Sequence, residues 1–376
     1  MRVREVGLFL YALPFRHPWP SADGPRDCRE GAILLLTEEE GAVGLGDAAP
    51  WPGFGTETLA SSRAALALAS KLLVGLPADS YLEAIADLPR LAPVAASPAA
   101  RCAIDLALHD LAARHAGVPI ARLLGGERTP THVFVNATIP RLGEKETVEA
   151  ATSAVERGAK TIKVKVGGAP LAEDTSRIAS LRRAVGPEIA IRLDANQAWS
   201  EEEAIVALGA LAAFDLEYVE QPVAAENIEG LARVRAKTGV PIAADEAVRD
   251  ADTARRILSL GAADVIILKP MVLGGLHASL RVAALAREWG KEVVVTSLLE
   301  SPIGRAGALH LAAALGPARH AHGVSTRLRF AAEEGGEDFD AVGAVRLPST
   351  PGLGVEFTAN MRAAAVRLAP AEREAP

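Results

Sequence analysis

From Thr131 onward, short β-branched runs alternate with longer stretches whose apolar residues recur at helical spacing. The runs read THVFVNATI, TIKVKV, EIAIRLDA, LEYVE, PIAAD, DVIILK and EVVVTS. Between them, Lys145 to Arg157, Glu201 to Ala212, Asn227 to Lys237 and Gly275 to Trp289 are each long enough for a crossover helix joining parallel strands. An eighth strand near Ala321 to Val324 would close a (β/α)₈ barrel of TIM type, an α/β fold expected over residues 127–329.

Residues 1–126 follow a different pattern. Two strand-like segments, Arg2 to Leu13 and Gly31 to Leu36, precede helical stretches at Glu57 to Leu76 and Pro98 to Ala116, which predicts a separate α+β domain. The loops His17 to Pro25 and Pro50 to Gly55 carry Trp19, Trp51 and Phe54, too apolar for idle solvent loops, and are candidate lid segments. Residues 330–376 are expected to return to the N-terminal domain through the strand-like pieces AVRLP and VEFTA, and to end in a disordered AEREAP tail.

Composition narrows the function. The chain is 49% hydrophobic but only 4% aromatic, a bias suited to aliphatic packing between helices and a parallel sheet. Lys and Arg total 40 against 47 Asp and Glu, a net charge of −7 with no basic block, so a nucleic-acid partner is not expected. Cys28 and Cys102 are too few for a disulfide scaffold and fit small buried hydrophobes in a reducing cytoplasm. The start MRVREVGLFLYALPF superficially resembles a signal peptide, but Pro14, Phe15 and Arg16 stand where small residues should precede cleavage. No uncharged apolar run reaches the ~18 residues needed to span a membrane. A cytoplasmic homo-oligomer acting on a small-molecule carboxylate is the expectation.

The chemistry concentrates at strand ends. Lys165, Asp194, Glu220, Asp245 and Lys269 each stand at or just past the C-terminal end of successive strand-like runs, where such barrels place their reactive groups. One such charge alone is as readily a helix cap; the same placement on five consecutive units is not. Three carboxylates at one barrel mouth repel unless a cation lies between them, and hard oxygen ligands without Cys or His select Mg²⁺ or Mn²⁺. Lys163 and Lys165, at i and i+2 on one strand, project to the same face. Each raises the cost of charging the other, which is expected to lower the pKa of Lys165 toward that of a general base. Lys269 would arrive from roughly the opposite side. A Schiff-base aldolase could use a barrel lysine but has no need of three metal-spaced carboxylates. GLGDAA at Gly44 to Ala49 resembles a dinucleotide fingerprint, yet runs into Pro50, Trp51 and Pro52 rather than opening a helix. His109 and His310 are expected to be structural, and His277 lies too far along its helix to act as a base.

These residues carry a resemblance. KVKVG at Lys163 to Gly167, RLDANQAW at Arg192 to Trp199, EYVEQP at Glu217 to Pro222, IAADE at Ile242 to Glu246 and Lys269 are similar to the motifs of the muconate-lactonizing subgroup of the enolase superfamily. ARCAIDLALHDLAARHAGVPIARLLGG, ending at Gly126, resembles the segment joining that family's capping domain to its barrel. The resemblance implies Asp194, Glu220 and Asp245 as Mg²⁺ ligands and Lys163, Lys165 and Lys269 as the catalytic lysines. FVNATIP, REGAILLL, APWPGFGTET and TSLLESPIG further resemble o-succinylbenzoate synthases. In that family Lys165 would remove an α-proton and return it to a departing hydroxyl, in menaquinone biosynthesis. Trp19, Phe54, Asn196, Ser297, Leu298, Glu300 and Ser301 would then contact substrate. Asp47 stands where that family pattern has Glu, a departure expected to affect loop packing. The alternatives are N-succinylamino acid racemase, dipeptide epimerase and muconate cycloisomerase. Dipeptide epimerases typically carry Asp-x-Asp at the end of strand eight, where this chain has Gly323, Val324, Ser325, Thr326 and Arg327.

Overall fold

The first apolar run builds a sheet. In the computed structural model, which describes residues 1–19, 24–331 and 342–368, β1 (Val3–Trp19) pairs antiparallel with β2 (Arg26–Glu38), and β2 with β3 (Val43–Ala48). The third strand is absent from the sequence expectation because its glycines mask it. A Cβ on Gly46 would lie 1.9 Å from the carbonyl oxygen of Ala103, and one on Gly44 would lie 2.3 Å from that of Ala107. GLGDAA is therefore a close-packing device that lets helix Pro98–His115 lie directly on the sheet.

The run Thr131 to Ile139 is not one strand. It divides into β4 (His132–Phe134) and β5 (Ala137–Ile139), the chain changing partners between them: the Val135 amide donates to Gly343 and the Asn136 amide to His322, each at 3.0 Å. From β5 the parallel sheet continues through β6 (Thr161–Lys165), β7 (Ala190–Asp194), β8 (Leu216–Glu220), β9 (Ile242–Ala244), β10 (Val265–Leu268) and β11 (Glu292–Val295), in sequence order. The eighth position is filled by two residues. His322 bridges Val135 and Gly323 bridges Thr296, both parallel, so the curled sheet closes through single bridges rather than a full strand. β9 and β10 are buried throughout, as strands covered on both faces must be.

The C-terminal segment pairs β12 (Ala344–Arg346) with β4 and β13 (Val366–Arg367) with β1. VEFTA, read as strand, is not one. Phe357 packs its ring 5.1 Å from that of Phe9, and Thr358 caps helix Ala359–Ala364, so the apolar residues are used in packing and not in a ladder. The AEREAP tail lies outside the described residues. His109 and His310 are satisfied core histidines: His109 Nδ1 meets Asp105, while His310 accepts from the Ala121 amide and donates to Leu353. Burial pushes the His310 imidazole down to about 4, as expected of a neutral structural ring. No helix among the described residues is long and apolar enough to cross a membrane.

Candidate active site

Strand alternation delivers the lysines. Lys163 and Lys165 on β6 both turn inward and meet the carboxylates of the neighbouring strands. The Lys163 ammonium donates to both Glu220 oxygens at 2.6 and 2.8 Å and lies 2.8 Å from Asp194 Oδ2. Lys165 Nζ donates to the same Asp194 oxygen at 2.7 Å and to Asn196 Oδ1. Across the barrel, Lys269, just past β10, bonds Asp245 Oδ1, and its Nζ lies 5.3 Å from the centroid of the Phe54 ring. Asn196 also donates to Glu246 at 2.9 Å.

The electrostatics follow from burial. Asp194, Glu220 and Asp245 are all nearly inaccessible. Burial, then repulsion from Asp194, pushes the Glu220 carboxyl up to about 8 despite Lys163 beside it. Asp194 goes the other way, because Lys163 and Lys165 together overcome its burial. For Lys163, burial opposes the charge, but Asp194 and Glu220 hold the ammonium well above its ordinary range. Lys269 is likewise raised, Asp245 and Glu220 outweighing burial. Three anions, Asp194, Glu220 and Asp245, surround Lys163 and dominate its electrostatics.

This donor set fits a divalent cation. It offers only carboxylate oxygens, from three successive strand ends, and Glu220 resists ionisation beside Asp194, the repulsion a cation would relieve. As placed, each carboxylate is turned to a lysine, and no three His, Cys, Asp or Glu among the described residues are already gathered as a metal cluster. Asp194, Glu220 and Asp245 would hold the ion by turning from the ammonium groups.

A cavity of ≈ 340 Å³ joins these groups, lined by Lys163, Lys165, Lys269, Asp194, Glu220, Asp245, Asn196, Trp19, Phe54, Ser297 and Leu298. Glu300 and Ser301, read as substrate contacts, do not line it. Glu300 instead accepts from Ser297 Oγ at 2.5 Å and the Leu298 amide at 2.7 Å, while Ser301 caps helix Pro302–Ala314. Both hold the loop that presents Ser297 and Leu298. Gln221 escaped the sequence reading, although it follows Glu220 in EYVEQP. Its side-chain oxygen accepts from the Asp245 and Ala247 amides at 3.0 and 3.2 Å, fixing the Asp245 backbone. Asn196, Gln197 and Gln221 have φ of 42°, 65° and 37°, so the turns after β7 and β8 hold non-glycine residues in the left-handed region beside the site.

The same loop is tied to the N-terminal sheet. Asp47 on β3 accepts from the Ser301 amide and the Tyr11 hydroxyl, each at 3.0 Å. No spacing rule shows that contact. Burial pushes its carboxyl up to about 6, against an ordinary 3.8. With its folded pKa raised, Asp47 favours the fold most at low pH, and that contribution is lost as pH rises through about 6. Urea midpoints should therefore show that Asp47→Asn removes the loss of stability this carboxyl contributes as pH rises from its ordinary 3.8 through about 6. Asp47→Ala orphans two buried donors and is expected to cost ~2–4 kcal/mol.

Two family profiles match the chain: "Mandelate racemase / muconate lactonizing enzyme, N-terminal domain" over residues 5–125 and "Enolase C-terminal domain-like" over residues 146–361. The crystal structure of a dipeptide epimerase from Enterococcus faecalis, complexed with Mg and the dipeptide L-Leu-L-Tyr, is 31% identical. It aligns over 95% of this chain and all of its own with a TM-score of 0.87. That of N-succinyl Arg/Lys racemase from Bacillus cereus is 26% identical, aligned over 98% of this chain and all of its own, with a TM-score of 0.89. An o-succinylbenzoate synthase from Thermobifida fusca is 43% identical over 196 residues, 52% of this chain and 59% of that one. Muconate cycloisomerase 1 from Acinetobacter baylyi is likewise similar over the whole length, 31% identical over 94% of this chain and 96% of that one.

Proposed function

We propose that this chain, which belongs to the enolase superfamily, interconverts the enantiomers of an N-acylated amino acid by moving the proton α to its carboxylate. The observation that carries the reading is the placement of two lysines about one cavity. Lys165 ends β6 and Lys269 follows β10, four strands on in an eight-position barrel, with Asp194 and Glu220 ending β7 and β8 and Asp245 just past β9. Lys165, as the neutral amine, removes the α-proton from one face, and Lys269, as the ammonium, delivers a proton to the other. Lys163, held cationic by Asp194 and Glu220, adds positive charge where the carboxylate gains negative charge. Asp194, Glu220 and Asp245 would hold Mg²⁺, which would supply Lewis-acid charge toward the substrate carboxylate.

The end of the eighth barrel position argues against a substrate with a free amino group. Gly323, Val324, Ser325, Thr326 and Arg327 offer no carboxylate to pair with an ammonium. An acyl group on the amino nitrogen removes that requirement. A second reading, syn dehydration to o-succinylbenzoate with Lys165 alone carrying the proton, is favoured by the 43% identity to the Thermobifida fusca synthase.

The readings separate in three parallel assays with Mg²⁺: polarimetric racemisation of N-succinyl amino acids, epimerisation of Ala-Glu, and ultraviolet detection of o-succinylbenzoate. Racemisation is expected to be the fastest, with Ala-Glu at least ~10-fold slower for want of an ammonium partner. Aromatic product without racemisation would replace the first reading by the second.

A further inference from the structure

We propose that Arg329 selects the substrate by its far end, pairing with a second carboxylate on the acyl group. This rests on the reading of the substrate as an N-acylated amino acid. Arg329 closes the 3₁₀ turn Arg327–Arg329 that follows the eighth barrel position, and it lines the same cavity as the three lysines. Its Nη2 donates to the carbonyl of Thr138 at 2.6 Å, and Thr138 pairs in register with Lys163 across β5 and β6. The guanidinium is thereby fixed one strand from the reacting groups. Its carbon lies 5.9 Å from the Trp19 ring centroid, so one aromatic wall of the cavity also bears on it.

Charge around the cavity makes this cation distinctive. Lys163, Lys165 and Lys269 are matched by Asp194, Glu220 and Asp245, pair by pair. Arg329 has no such match: among the described residues no carboxylate pairs with it, and burial alone lowers its pKa. Arg157, the remaining cation on the lining, is exposed and bonds a carbonyl of its own helix. A guanidinium presents five N–H donors, and the Thr138 carbonyl engages one. A carboxylate on the ligand would accept from two others in a planar pair, whereas an ammonium there would meet like charge. The chemistry that fits is a dicarboxylic acyl group, of the succinyl type, on the amino nitrogen.

The test measures α-proton exchange into D₂O, with Mg²⁺, on one amino acid in three forms: N-succinyl, N-acetyl and N-alanyl. In the unmodified enzyme kcat/KM should be highest for the N-succinyl form. Arg329→Gln should raise KM for that form about 10–100-fold with kcat nearly unchanged, and leave the N-acetyl form unaffected. Arg329→Lys should restore part of the loss, since a point charge replaces the planar fork. The unchanged N-acetyl kinetics would also show that the variant is folded. Preference for the N-acetyl form, or a loss shared equally by all three, would overturn the role of Arg329 while leaving the proton-transfer reading intact. No exchange on any of the three by the unmodified enzyme would overturn that reading and this inference with it.

Discussion

Replacing Lys165 by alanine should lower kcat for racemisation in both directions by about 10²–10⁴-fold, the usual worth of a positioned general base. Racemisation needs one lysine to take the proton and the other to give it, so Lys269→Ala should fail in both directions too. The two variants differ from a general loss of structure in their partners. Lys165 Nζ leaves Asp194 still held by Lys163, whereas Lys269 is the ammonium bonded to Asp245. Lys165→Ala should thus keep its urea midpoint near that of the unmodified chain, while Lys269→Ala, with Asp245 left buried beside no cation of its own, should be less stable. A Lys165→Ala enzyme that racemises at an undiminished rate would remove the base from the account.

Asp194→Asn or removal of divalent cation by EDTA should have an effect of similar size. A bound cation contributes several kcal/mol of charge stabilisation, so its loss should cost roughly 10³-fold or more in kcat/KM. Asparagine preserves shape but carries no charge for the ion, and it also breaks the bridge between Lys163 and Lys165. Activity restored by Mg²⁺ in the EDTA-treated enzyme, but not in Asp194→Asn, is the expected pattern. Full activity in EDTA would contradict the metal assignment.

Much of this was readable from residue order. The β-branched runs fix six barrel strands, because parallel strands covered by helices must be apolar throughout, and their last residues are where the fold turns its chemistry outward. The lysine pair follows from the two-residue period of a strand. What escaped depends on contacts between distant segments. β3 looks like a weak strand because Gly44 and Gly46 are chosen by the helix lying on them. The break between β4 and β5 depends on Gly343 and His322, which no local pattern announces. Phe357 is apolar for packing on Phe9, so its run imitates a strand. Glu300 and Ser301 stand next to true lining residues, and a motif does not say which of its members turn inward. Gln221 carries a side chain whose bonds go to the following strand, a contact that only the closed sheet reveals.

The division of labour between Lys165 and Lys269 is tested most directly by proton NMR of α-hydrogen exchange in D₂O, run on each enantiomer of an N-succinyl amino acid with the two single alanine variants. The account predicts complementary losses: each variant still exchanges the α-hydrogen of one enantiomer and not of the other, because the remaining lysine addresses only one face. Exchange of both enantiomers by the Lys269→Ala enzyme would contradict it, leaving Lys165 as the sole proton carrier.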